Sequence, residues 1–391
     1  MSLIVNLIRN FASYCQSMMK SFIFNPENDL ALASGSRVYT PPRNAALLAH
    51  CGALLPMWLA GTGDTVIADK SGVEDWIDKI GSMFDLDVNV SPIAPSQSKG
   101  EPWGWSPAII TTLTRAGIDR LNLPDDSAIE RMRQLSHRRT SIEINRNLAL
   151  RGITTPPLAI EAFNQKEMVD AIEQFKGNFV MKSPWSSTGR GVFLSSRTNA
   201  NAILTNAEGI IRRQGSVIIE PLLDRQSDFA MLFYAENGKV SYRGLSLFDT
   251  IGTAYTGNLL LPETTIVKLI DDQLNDINLS VISAELETVL SDIIKNDYTG
   301  WLGIDMMIQT NRQLAPCIEI NLRKTMGVVA MILRDKFISE DSTGRFSVSP
   351  GKFEPLDFSS AKVENNRLVD GEIDLVPPGQ GFRIAMKVIG N

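Results

Sequence analysis

The chain has 391 residues, too many for one ordinary hydrophobic core and enough for two or three domains. Hydrophobic content of 43% with 21% charge is that of a water-soluble globular protein, and a net charge of −6 argues against a general nucleic-acid surface while leaving room for a local basic pocket. Only two histidines (His50, His137) and three widely spaced cysteines (Cys15, Cys51, Cys317) are present, which argues against a histidine-based zinc site, a Ser-His-Asp triad and a disulfide framework, and fits a reducing, cytoplasmic setting.

The first 18 residues are mildly apolar, but their uncharged runs, Ser2–Ile8 among them, are too short to span a membrane, and the segment is expected to be a dispensable extension. Ser21–Phe24 reads as a short buried strand, followed by an Asn25 cap, Pro26 and a helix through Leu30–Ala33. Asn25, Glu27, Asp29 and Arg37 are candidates for substrate contact, because ligand crevices in open α/β sheets lie at strand C-ends. A helix at Arg43–Cys51, strands at Thr65–Ala68 and Val88–Val90, and a helix at Val73–Phe84 continue a small α/β domain. Trp103-Gly104-Trp105 reads as a packed loop between that domain and helices at Ser106–Ala116 and Ser127–Leu135. A basic knot, His137-Arg138-Arg139, heads an amphipathic helix ending at Gly152.

Beyond Gly152 the expected order is strand 156–162, helix 166–175, strand 178–182, helix 199–213 and strand 216–220. Asn237-Gly238 then marks a hairpin in a β-rich segment, 229–261. A helix over Leu279–Asn296 leads to Trp301–Gly327, and residues 342–391, rich in polar and turn residues, carry no clear pattern.

Three stretches carry chemistry. In Phe179–Val192 an apolar strand ends in Lys182, and the small-residue loop Ser183-Pro184-Trp185-Ser186-Ser187-Thr188-Gly189-Arg190 follows. Glycine and hydroxyls there can aim donors at phosphate, although the lysine precedes the loop, unlike a P-loop. In Val217–Leu223, Glu220 directly follows a hydrophobic strand. In Trp301–Gly327, two apolar runs flank the turn Thr310–Gln313, with Asp305 on the first and Glu319 and Asn321 two apart on the second. Strand alternation puts Glu319 and Asn321 on one face; with Asp305 opposite, three oxygen ligands converge in a way that suits Mg²⁺ shared with nucleotide phosphates.

In this order and spacing the three stretches resemble the ATP-grasp superfamily, with motif-level similarity to D-alanine–D-alanine ligase and carbamoyl phosphate synthetase. The resemblance covers about residues 136–330. It implies an α/β (α+β) fold: an α/β Rossmann-like domain before the grasp (19–135), an N-terminal lid subdomain (136–222), a C-terminal catalytic subdomain (223–341) and a C-terminal extension packing on the core (342–391).

It also implies roles. Lys182 would hold the α/β phosphates of ATP, Ser186, Ser187, Thr188 and Gly189 the mobile covering loop, and Arg190 an extra clamp. Glu220 and backbone near Leu223 would take adenine, and Arg138 or Arg139 would reach a phosphate. Asp305, Glu319 and Asn321 would bind two Mg²⁺ ions, with Mn²⁺ able to substitute. Arg323 would stabilise an acyl phosphate, although Leu322 stands where many relatives have Pro or Ser; Arg243 would bind a substrate carboxylate. Asp249, Thr253 and Asn258 are further candidates to face the substrate. The implied activity is an ATP-dependent carboxylate–amine ligase acting on small molecules, with neither nucleic acid nor membrane as partner and self-association left open. A small-molecule kinase and a non-catalytic ATP-binding regulatory protein remain as alternatives, because the nucleotide residues do not distinguish acceptors.

Overall fold

The computed structural model describes residues 19–186, 191–251, 254–275, 277–354 and 358–390. Its first unit holds β1 (Lys20–Ile23), α1 (Asn28–Ser34), α2 (Arg43–Cys51), β2 (Thr65–Ile67), α3 (Glu74–Phe84), β3 (Asn89–Ser91), β4 (Lys99–Pro102), α4 (Pro107–Arg115) and α5 (Asp126–Leu135). The strands form a parallel sheet in the order β3-β2-β1-β4. The chain runs outward from β1 to β3, then returns to the other side of β1. Such a reversal opens a crevice at the C-ends of the two flanking strands, here β1 and β4.

Two local expectations change. Asn25 does not cap α1: the turn at Pro26-Glu27 delays the helix, and the Asn25 amide instead donates to Gly104 O (2.8 Å) and accepts from Trp103 N (2.9 Å). It staples the end of β1 to the end of β4. Strand β4 itself was not legible, since Lys-Gly-Glu-Pro shows no apolar alternation and pairs on one side only. Trp103 packs as expected, edge-on to Phe24 at 4.9 Å.

The second unit contains α6 (Arg139–Leu150), β5 (Ile160–Ala162), α7 (Gln165–Phe175), β6 (Phe179–Lys182), β7 (Val192–Leu194), α8 (Ala200–Gln214) and β8 (Val217–Pro221). Its antiparallel sheet runs β5-β8-β6-β7. Asn164 and Asn199 cap α7 and α8 through Glu167 N and Ala202 N. Phe179, Met181, Val217 and Ile219 meet Met168, Ala171, Ile203 and Ile210 of these helices. Alternation therefore turns Val180, Lys182, Ile218 and Glu220 to the opposite face.

The third unit is a nine-stranded antiparallel sheet, built from β9 (Arg225–Glu236), β10 (Lys239–Ile251), β11 (Ala254–Leu260), β12 (Gly300–Gln309), β13 (Leu314–Asn321), β14 (Thr343–Lys352), β15 (Lys362–Glu364), β16 (Arg367–Asp374) and β17 (Gln380–Ile389). Its order is β13-β12-β9-β10-β11-β14-β17-β16-β15. Asn237 and Gly238, both at positive φ (51° and 73°), turn β9 into β10 as the Asn-Gly pair foretells. Helices α9 (Glu263–Asp271), α10 (Leu279–Ile294) and α11 (Met326–Phe337) complete it. Phe229, Met231, Phe233, Leu302 and Ile304 pack against α10 and α6. The alternate residues face the other way. Helix α11 joins Phe346, Ile373, Ile384 and Met386 with Trp58 and Phe84 of the first unit in one core. Among the described residues no helix is long and apolar enough to cross a membrane.

Candidate active site

The hairpin of β12 and β13 carries the centre of the site. Asp305 pairs with Glu319 and Gly303 with Asn321, so the three polar side chains share one face while Ile304 and Ile320 are buried on the other. Asn321 Nδ2 donates to Asp305 Oδ2 at 2.9 Å. Burial, then the neighbouring Glu319 carboxylate, push the Asp305 carboxyl up to about 7, against the opposing pull of Asn321 and Arg323. Two carboxylates and an amide on a partly buried strand face are an electron-rich donor set that calls for positive charge, as a hard cation would supply.

Arg138 supplies part of that charge. Its NH1 lies 2.9 Å from Glu319 Oε2, its NH2 donates to Ser186 Oγ (2.9 Å) and its Nε to the Ser183 carbonyl (3.0 Å). One buried guanidinium thus joins the Ser183–Ser186 segment to the face that carries Asp305, Glu319 and Asn321. Arg139, one residue on at the start of α6, points away and pairs with Glu161 at 2.8 Å. Of the two arginines, only Arg138 enters the cleft. Between them and Trp185 sits His137, fully buried and edge-on to the indole at 4.5 Å. Burial and the cations of Arg139, Arg133 and Arg138 pull its pKa down to about 3, so it is neutral.

Lys182 and Glu220 stand on the face their strands turn from the helices, and they form an ion pair there. Ser186 is buried at the start of the loop. Ser187, Thr188, Gly189 and Arg190 lie outside the described residues, as does Thr253. Gly191 closes the loop base at φ 73°, where a Cβ would come within 2.4 Å of Ser183 Oγ. Leu223 is half-buried in the link between β8 and β9, where the two sheets join.

Arg323 lies two residues past the end of β13. Its Nε contacts both oxygens of Asp29 (2.9 and 3.2 Å), and its NH2 donates to Asn321 Oδ1 at 2.8 Å. Burial opposes its charge, but Asp29, Glu319 and Asp305 outweigh this and hold its pKa above the ordinary value. Arg243 does not join this group: it sits in a bulge of β10, exposed, with its guanidinium 5.9 Å from the Tyr234 ring centre, beside a small pocket lined by Ser246, Asn258 and Arg334.

The apparent loop around Asp249 and Asn258 is instead the paired ends of β10 and β11. Asp249 bridges to Arg345, and buried Asn258 donates to Ser246 Oγ at 2.7 Å. Arg37 pairs with Asp126 at the surface. Cys317 is a buried small hydrophobe, as its apolar run indicates, with burial pushing its thiol up to about 12.

Two further acids belong to the neighbourhood and carry weak sequence signals. Asp228 stands opposite Met307 on the Asp305 face, 2.8 Å from Arg225, with burial raising its carboxyl. Its signal was only that it directly precedes the apolar run 229–235. Glu101 is bound by Lys324 at 3.0 Å; burial pushes its carboxyl up, but Lys324 outweighs this and holds it below the ordinary carboxylate range.

A scan against protein-family models matches none, and a search of curated proteins returns no relative in sequence. Solved structures do match. The biotin carboxylase domain of Hydrogenobacter thermophilus 2-oxoglutarate carboxylase, in complex with MgADP, ADP and bicarbonate, is 10% identical over 96% of this chain and 87% of its own, with a TM-score of 0.52. Phosphoribosylamine–glycine ligase of Thermotoga maritima is 12% identical over 95% of this chain and 93% of its own, also at 0.52. A Campylobacter jejuni biotin carboxylase complex with a β-γ-ATP ligand is 11% identical over 95% and 87%, at 0.50. The fold of this chain is the ATP-grasp fold, as the motifs imply.

Proposed function

We propose that this ATP-grasp chain is an ATP-dependent carboxylate–amine ligase. The observation that carries the reading is the convergence of Asp305, Glu319 and Asn321 with Arg138 and Arg323 on one strand face, opposite the Lys182–Glu220 pair. The same fold holds MgADP and bicarbonate in the H. thermophilus domain. Residues 19–135 would form the domain before the grasp, 136–222 the lid, 223–341 the catalytic subdomain, and 342–391 an extension packed on its core.

In this reading Lys182 and Arg138 bind the phosphates, Ser186 with Ser187, Thr188, Gly189 and Arg190 covers them, and Glu220 with backbone near Leu223 holds adenine. Asp305, Glu319 and Asn321 would hold two Mg²⁺ ions, replaceable by Mn²⁺; bound there, the ions would supply positive charge for phosphoryl transfer. A substrate carboxylate oxygen displaces ADP at the γ-phosphorus, forming an acyl phosphate. The amine lone pair then attacks the acyl carbon, phosphate leaves with the C–O electron pair, and the nitrogen loses a proton. Arg323 meets the charge that develops on the acyl phosphate, and its anchored guanidinium needs no reorganisation to do so. Arg243 stands apart from this cluster and would reach a substrate only through its long side chain.

Hydroxylamine tests the reading. With MgATP and a panel of small carboxylates, it is expected to trap a hydroxamate in proportion to the ADP formed. A phosphorylated product stable to hydroxylamine would establish a kinase instead, and tight ATP binding without any ADP would establish a non-catalytic binder.

A further inference from the structure

Arg323 and Lys324 follow β13 side by side and grip two different elements of the first unit, the helix α1 after β1 and the strand β4. Arg323 lies against Asp29, just beyond β1, with Nε–Oδ2 and NH2–Oδ2 both at 2.9 Å. Lys324 Nζ lies 3.0 Å from Glu101 Oε2 and 2.9 Å from the Pro102 carbonyl, and its backbone N–H donates to Trp103 O at 2.9 Å. These links bridge 294 and 223 residues of sequence. Both pairs are shielded: side-chain exposure is 17% and 15% for Arg323 and Asp29, and 8% and 15% for Lys324 and Glu101.

A guanidinium is planar, so a carboxylate that meets two of its nitrogens fixes the orientation of the whole group. With Asp29 on the Nε edge, the NH2 of Arg323 is left facing Asn321 Oδ1. Both Asp29 oxygens are occupied by this contact, which leaves the carboxylate little capacity for a substrate cation. A free arginine side chain would lose rotamer entropy on being ordered, and the Asp29 contact removes that cost before substrate arrives.

We propose that Asp29 is a positioning residue for Arg323: it locks the guanidinium against Asn321 and the metal-ligand face, and so makes the chemistry depend on the first unit being seated on the hairpin. This rests on the reading of Arg323 as the group that meets the acyl phosphate. Glu101 and the Lys324 ammonium form the parallel strut that seats the two units, while the Lys324 carbonyl accepts from Arg323 NH1 at 3.2 Å.

The test has two arms on the full-length protein. In ¹⁵N-arginine-labelled protein, the Arg323 Nε–H resonance, assigned with Arg323→Lys, is expected to exchange slowly with water. Asp29→Asn should speed that exchange by at least about tenfold, while Asp29→Glu stays near wild type. Asp29→Ser carries the same expectation should the amide variant fail to fold. In the second arm, with MgATP, hydroxylamine and the carboxylate the wild type uses, Asp29→Asn should lower kcat by about 10²-fold with KM for MgATP unchanged, and Asp29→Glu should recover most of it. Unchanged exchange in Asp29→Asn overturns the proposal, as does fast exchange with full turnover. A wild type that makes no hydroxamate with any carboxylate contradicts the ligase reading instead, and the exchange arm still decides whether Asp29 holds Arg323.

Discussion

Arg138 NH1 lies 2.9 Å from Glu319 Oε2, and that contact ties the start of α6 to the hairpin of β12 and β13. In the proposed reading Arg138 would bind phosphate and Glu319 metal, so the contact pairs two groups that would each take a separate partner. The Lys182–Glu220 pair repeats the arrangement on the opposing sheet. Each pair balances charge across the site.

Replacing Arg138 by Gln should weaken MgATP binding by about 10- to 100-fold, the value of one charge-assisted contact of about 1.5–3 kcal/mol. Arg138→Lys should recover part of the loss, because lysine keeps the charge but not the fork that spans Ser183, Ser186 and Glu319. Arg139→Ala, which breaks the contact with Glu161, should change affinity far less. Titration calorimetry reads all three, and unchanged affinity in Arg138→Gln would remove it from the site.

Lys182→Met should lower ADP affinity by a similar factor and also leave Glu220 without its partner. The second consequence distinguishes it from a surface lysine: the variant should lose about 1–3 kcal/mol of stability, because a shielded carboxylate becomes uncompensated. Equal unfolding midpoints in urea for variant and wild type would contradict the pairing.

His137 gives a pH dependence with a definite sign. Its folded pKa of about 3 lies below the unfolded value of about 6.5. Below pH 6.5 the unfolded chain takes up a proton that the folded protein refuses. Its contribution is therefore whole above pH 6.5 and is lost as pH falls toward 3, at no more than about 1.4 kcal/mol per unit. Urea unfolding between pH 7.5 and 4.5 should show a steeper fall for wild type than for His137→Asn. Parallel curves would refute the buried neutral imidazole.

The last fifty residues should be inseparable from the core. Phe346, Ile373, Ile384 and Met386 pack with Leu333 and Phe337 of α11 and with Trp58, whose Nε1 donates to Leu375 O at 2.7 Å. Each such side chain contributes about 1.5–3 kcal/mol of burial, so removing β14–β17 would exceed the whole stability of an ordinary domain. A chain ending at residue 341 should be insoluble or unfolded by circular dichroism; a cooperative thermal transition in it would contradict this. Ile384→Ala alone should cost about 2–5 kcal/mol.

How much of this was legible followed the strength of local signals. Lys182, Glu220 and the β12/β13 hairpin interrupt apolar runs with charge, which strands rarely tolerate without cause, and alternation put Glu319 and Asn321 on one face. The choice between Arg138 and Arg139 was not legible, because it turns on the rotation of α6 against a loop 45 residues away. Strand β4 and the C-terminal strands were missed for a different reason: their pairing partners are distant, and sequences such as Lys-Gly-Glu-Pro or Thr-Gly-Arg-Phe-Ser carry little intrinsic preference. Asp29 was readable as a polar residue at a strand end, but its partner Arg323 is 294 residues on.

The central claim is that Glu319 acts with Asp305 and Asn321 in phosphoryl transfer to a carboxylate. Glu319→Gln preserves shape and removes the charge, so the measurement is hydroxamate and ADP formation from MgATP, a carboxylate accepted by the wild type, and hydroxylamine. The expected result is loss of turnover by at least about 10²-fold with the thermal midpoint retained within a few degrees. Turnover kept at the wild-type rate in the folded variant would contradict the account.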